Sequence, residues 1–154
     1  MAMRYIVYFF LLVMPTVLYA QPTPINVKPL YHYDFVGINI DLKPGVNCFV
    51  ITNHKQMEKF FGKTNRPDTP DFSKEQVLVL LVPPAKKDAK LSFDRINMKA
   101  GNFVEVYCTT KLNLGRLTYT ATPVAVCTIP IYPGVEKVKF YNDDMRLIKA
   151  VDVK

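Results

Sequence analysis

Nucleophilic chemistry in this chain would have to rest on Ser73, Ser92 or a cysteine, with His32 or His54 as the base, because the sequence holds no other serine or histidine. Neither serine sits in a glycine-flanked elbow of the kind that exposes a nucleophile on a tight turn. Ser73 follows Asp71-Phe72 ahead of an apolar run, a setting that suits turn formation. Cys48 and His54 flank a strand-to-helix junction, so a thiolate–imidazole pair is the one catalytic arrangement the spacing permits. A core cysteine beside an exposed first-turn histidine is the preferred reading of that pair. Metal binding has no better support. No C-x-x-C or H-x-x-x-H spacing exists to assemble a zinc site. Asp143-Asp144, with Asp41 or Asp34, lacks the alternating acids and glycine of a calcium loop and reads as a solvated turn. The six glycines are scattered singly, so no phosphate-cradling loop is present. No catalytic, cofactor-binding or metal residues are assigned, and a non-enzyme without cofactor is expected.

Two other constellations concern structure and recognition. Cys48, Cys108 and Cys127 are an odd set, which in an oxidising compartment suggests one disulfide plus a free thiol, or three buried thiols. Cys108–Cys127 is the candidate disulfide, since both lie in strand-like runs. Tyr31, Tyr33 and Phe35 alternate around His32 and Asp34; such a stripe is either half core and half surface, or an interface anchor. They are the candidate interface residues.

The first twenty residues, MAMRYIVYFFLLVMPTVLYA, read as a cleavable signal peptide. Arg4 supplies the positive n-region, Tyr5 to Met14 the apolar h-region, and Ala20 the small residue before the cut. Pro15 interrupts the run well short of the roughly 20 apolar residues a membrane span requires. Leu18 stands where a small residue is preferred, which places the cut near Ala20 to within a residue or two. No second run of spanning length follows, so the mature chain is expected to have no transmembrane segment. It is expected to be exported: periplasmic, on the cell surface or secreted. Its formal charge of +7 falls to +6 once Arg4 is removed. The excess is dispersed, without a recognisable nucleic-acid module, and a nucleic-acid partner is not expected. The dispersed lysines read as a solvated surface, with attraction to anionic glycans or envelope lipids as the sharper alternative.

The elements that must position these residues follow from periodicity. Residues 21–29 are proline-rich and read as an extended leader, and residues 30–154 as one globular domain. Val36, Ile38 and Ile40 alternate as a short strand, and Cys48 to Ile51 as a second. Asn53 is a plausible N-cap for a helix over His54–Phe61, with Met57, Phe60 and Phe61 on one face and Gly62 as the stop. Val77 to Val82 is continuous enough for a strand buried on both faces. Ala85 to Lys90 reads as a charged loop, Leu91 to Asn97 as a strand and Phe103 to Cys108 as another. Asn113-Leu114-Gly115 reads as a turn, and Leu117 to Thr122 as a strand that Pro123 marks as an edge or bulge. Val124 to Ile129, Val138 to Tyr141 and Leu147 to Val153 complete the set. The expected fold class is α+β: a mainly antiparallel sheet of about seven strands with one short helix packed on it.

Two stretches carry a resemblance. Val50 to Phe61 followed by Pro70 to Val79, and later Leu117 to Pro130 with Val138 to Tyr141, resemble the PrcB-type C-terminal domain. The similarity covers roughly residues 46–141 and rests on a strand, a short helix, an acidic-Phe-Ser-Lys lead and a Thr-x-Pro…Ile-Pro…Val-x-Phe ending. Pro83-Pro84-Ala85-Lys86-Lys87 departs from the glycine-containing turn usual there. The resemblance implies a non-catalytic accessory component of a cell-envelope protease complex, and brings no catalytic residues. The function expected is therefore an exported, non-catalytic binding or assembly module of the cell envelope or extracellular space, with a protein partner. The alternative is a small secreted inhibitor of proteases or other hydrolases, presenting Pro83 to Lys90 or Leu112 to Arg116 as its loop.

Overall fold

A computed structural model describes residues 22–37, 39–99 and 102–153 of the protein; the segment read as a signal peptide lies outside them. The most locally determined part is a strand, a helix and a second strand: β3 (Asn47–Ile51), α1 (His54–Phe61) and β4 (Glu75–Leu81). Asn53 caps the helix as its sequence position suggests, its side chain accepting from the Gln56 N–H at 2.9 Å. Gly62, at a φ of 75°, stops it and donates its N–H to the Glu58 carbonyl. Met57, Phe60 and Phe61 are the buried face. In β4, Val77 to Leu81 are fully buried without a break, each contributing about 1.5–3 kcal/mol of burial.

β4 opens a long folded ribbon. Its antiparallel partner is β7 (Val124–Pro130), in unshifted register from Glu75↔Pro130 to Leu81↔Val124. Beyond Leu81 the two chains continue, through Val82-Pro83-Pro84 and Thr122-Pro123, into β5 (Ala85–Lys99) and β6 (Phe103–Ala121), which pair with each other. The prolines carry no N–H and interrupt the ladder, so the ribbon bends between two sheets. The Val82 N–H donating to the Pro123 carbonyl at 3.0 Å bridges the bend. Pro123 thus marks a corner, and the strand after it is an interior one, flanked by β2 (Lys28–Leu30) and β4.

Among the described residues nine strands form two sheets, where the sequence suggested about seven in one. One sheet has the order β1-β5-β6-β8-β9 and the other β2-β7-β4-β3, with β1 at Thr23–Pro24, β8 at Lys137–Tyr141 and β9 at Leu147–Asp152. Among the described residues all pairings are antiparallel except β6 with β8. The sheets enclose one core, in which Cys48, Leu78, Leu80, Cys127 and Ile129 meet Ile96, Val104, Val106, Cys108, Val138 and Phe140. The opposite face of the four-stranded sheet is covered by α1 and the segment before β3, through Leu30, Tyr33, Ile51, Met57, Phe60 and Phe61. Burial on both faces is why β4 reads as a continuous apolar run.

Four expectations change. The proline-rich leader belongs to the fold: Thr23 and Pro24 pair with β5, and Lys28 to Leu30 with β7. Of the strand expected over Val36, Ile38 and Ile40, Ile38 lies outside the described residues; the rest is irregular, because Gly37 and Asn39 both adopt positive φ and the Val36 N–H bonds to the Phe60 carbonyl. Ala85 to Lys90 is strand, not loop. Asn113-Leu114-Gly115 does not reverse the chain; with Asn113 at a φ of 58° it sits in a bulged stretch of β6.

Candidate functional site

The catalytic candidates are kept apart by strand alternation. Cys48 faces the core between the sheets, whereas α1 covers the other face of the same sheet, where the His54 ring packs edge-on against Phe72 at 4.8 Å. The two side chains lie on opposite faces, so the thiolate–imidazole pair does not form. Burial pushes the Cys48 thiol up to about 12, only partly offset by the Lys149 ammonium, and keeps it protonated. The Ser73 hydroxyl donates to Asp71 at 2.6 Å within a turn, and that of Ser92 donates to Asp94 at 3.0 Å. Asp143 accepts from the Thr110 N–H at 3.1 Å and fastens the turn after β8 onto β6. Among the described residues, no three of the His, Cys, Asp and Glu side chains converge as a metal site.

Cys108 and Cys127 come from different sheets, opposite Phe93 on β5 and Leu78 on β4 respectively. The candidate disulfide between these two strand residues is not formed: both thiols, like that of Cys48, are free and buried in the same core. Burial raises all three thiols, which gives them the character of core side chains rather than reactive ones.

The aromatic stripe near the start of the domain divides. Tyr33 is only 5 % exposed, with its ring edge-to-face on Phe61 at 5.4 Å, and half-buried Phe35 packs on Phe60. Tyr31 is 67 % exposed and stands at the rim of a cleft of about 480 Å³. The cleft lies where the two sheets part. β2 and β7 form one wall through Pro29, Ala125 and Cys127, and β5 forms the other through Leu91 and Phe93. His32 and Asp34 add polarity at the rim beside Tyr31.

One arginine fixes this rim. Arg66 donates to the carbonyls of His32 at 2.8 Å and Tyr31 at 2.9 Å, and grips Asp68 through two nitrogens at 2.9 and 3.0 Å. Its guanidinium also lies over the Tyr33 ring at 4.5 Å. These bonds stabilise His32 in its left-handed backbone conformation, with φ of 60°. The Arg66 guanidinium holds the Asp68 carboxyl below the usual carboxylate range. The site is thus a slot with apolar side chains in its walls and a pre-shaped polar rim, of a form that can hold side chains of an extended segment. Sequence reasoning identified Tyr31 but missed Arg66 and Asp68, which lie in a polar stretch more than thirty residues away with no local pattern.

The opposite margin of the sandwich is closed. Lys149 of β9 reaches across to β3, donating to the Cys48 carbonyl at 3.0 Å with its ammonium over the Phe49 ring at 4.7 Å. No protein-family model, curated protein or solved structure matches this chain.

Proposed function

We propose that the protein is an exported, non-catalytic binding or assembly module that takes a protein partner at the cleft beneath Tyr31. The observation that carries this reading is the combination of an apolar slot between the parted sheets and a rim held in place by Arg66. Pre-ordering of this kind lowers the entropy lost on association, and an exposed tyrosine over an apolar floor is a favourable anchor. An accessory place beside a protease complex in the cell envelope rests on the PrcB-type resemblance read in residues 46–141 alone, which no family model matches. The inhibitor alternative has less to draw on, because Pro83 to Lys90 and Leu112 to Arg116 are not separate loops: Lys87 pairs with Arg116 and Ala89 with Leu112.

The test is affinity capture from the native envelope fraction, comparing the protein with its Tyr31→Ala variant and with Lys55→Ala on the exposed face of α1. Tyr31→Ala is expected to reduce recovery of a specific partner by about tenfold, the loss of a typical anchor residue. Lys55→Ala should leave it unchanged. Equal recovery with all three proteins would remove the cleft from the function.

A further inference from the structure

The outer part of the folded ribbon, where β5 and β6 leave the core, has a different chemistry from the rest of the molecule. Lys86, Lys87, Lys90, Lys111 and Arg116 gather there against a single acid, Asp88, and all six are exposed. The register sets like charges directly opposite each other twice, Lys87 with Arg116 and Lys90 with Lys111. Directly opposed like charges destabilise a sheet, and none of these five cations forms an ion pair with a described carboxylate. The isolated molecule therefore carries repulsion here that an external anion would relieve. Lys86, Lys87 and Arg116 also line one open depression, with Asn113 and Gly115.

Apolar groups stand among these cations. β6 has extra residues relative to β5 on both sides of Arg116, and the bulges carry Leu114, 53 % exposed, and Tyr119, 63 % exposed. Leu112 is exposed as well. Protein–protein interface cores are depleted in lysine, so a lysine-dense patch is a poor match for one. Lysines flanking isolated leucines and a tyrosine suit an anionic bilayer surface: cations pair with headgroup phosphates while leucine and tyrosine enter the interface. From this geometry we propose that the bent ribbon, Ala85–Lys90 with Lys111–Ala121, is a docking surface for an anionic phospholipid bilayer. It is distinct from the Tyr31 cleft, and the domain would offer that cleft to a partner while seated on the membrane.

The experiment is flotation of the chain, purified from cells that express it, with vesicles of phosphatidylglycerol and phosphatidylcholine in equal parts, or of phosphatidylcholine alone. Binding is expected only to the anionic vesicles, and it should weaken as salt rises. The double variant Lys87→Glu/Lys90→Glu turns both repulsive pairs into attractive ones, so its melting temperature should hold or rise. Its partition into anionic vesicles should nevertheless fall by at least about tenfold, given the attraction of each cation near an anionic leaflet. Lys55→Glu/Lys59→Glu on α1 changes the net charge equally and should have a much smaller effect. Leu114→Ser/Tyr119→Ser should lower partition with no change in charge. The proposal is overturned if the unaltered chain does not float with anionic vesicles, or if the ribbon and helix double variants lose binding equally. Retention of polyglutamate without flotation would overturn it too, in favour of an acidic protein.

Discussion

The two halves of the folded ribbon share one covalent path and one pattern of antiparallel pairing, yet they differ in almost every other respect. Between Glu75–Leu81 and Val124–Pro130 the register runs without a shift; between Ala85–Lys90 and Lys111–Ala121 it is shifted repeatedly. The first half is packed on both faces, by the second sheet and by α1. There a slip of one residue would exchange the two buried sets of side chains, so the register is strongly specified. The second half is held to the rest of the molecule mainly by its ends, and extra residues bulge outward at little cost. Backbone pairing is thus common ground, and side-chain burial decides which half is scaffold and which is available for contact.

Truncation should break the symmetry between the halves most plainly. Leu78→Ala in β4 is expected to cost about 2–5 kcal/mol by urea denaturation, the penalty of a cavity in a packed core. Leu114→Ala in the bulge should change stability by less than about 0.5 kcal/mol; similar losses at the two sites would mean that the outer half is as tightly packed as the inner. A smaller effect concerns Gln76, whose buried Oε1 has no hydrogen-bond partner among the described residues. Gln76→Leu is expected to raise stability by about 1 kcal/mol, since an unsatisfied buried amide group is removed. Smaller again than the Gln76 effect, Lys87→Glu should add about 0.2–0.5 kcal/mol by placing opposite charges face to face across the outer half. A melting temperature lowered by that change would show that Lys87 does not face Arg116.

What could be read in the sequence was what neighbouring residues decide. Asn53 and Gly62 bracket α1, and Met57, Phe60 and Phe61 fall on one face, so the helix was fully legible. Val77 to Val82 likewise announced a strand buried on both sides, which ends one residue earlier at Leu81. The charged stretch Ala85 to Lys90 could not be recognised as strand, because only its pairing with β6 makes it one. Asn113-Leu114-Gly115 has the composition of a turn, and only the ladder on either side reveals a bulge. The division into two sheets depends on where the prolines at 83, 84 and 123 come together in space. In the candidate site, Tyr31 was visible as part of a stripe, but alternation alone could not say that Tyr33 turns inward. Cys48 and His54 were near in sequence and were separated by a sheet in space, since the distance along the chain says nothing about which face each occupies.

The placement of β1 and β2 has a consequence for the time at which this protein acquires its structure. The first strands among the described residues find no partner nearby: Thr23 pairs with Met98, and Leu30 with Val126. The parallel strand β8 likewise has to wait for β6 to be in place. Folding is therefore expected to start in the central hairpin, with both termini added late, and to be slow for the chain's size because distant contacts dominate. A chain passed through a membrane with its N-terminus leading would emerge with two strands that have nothing yet to join. For that interval its exposed edges, rather than its final stability, would determine whether it survives.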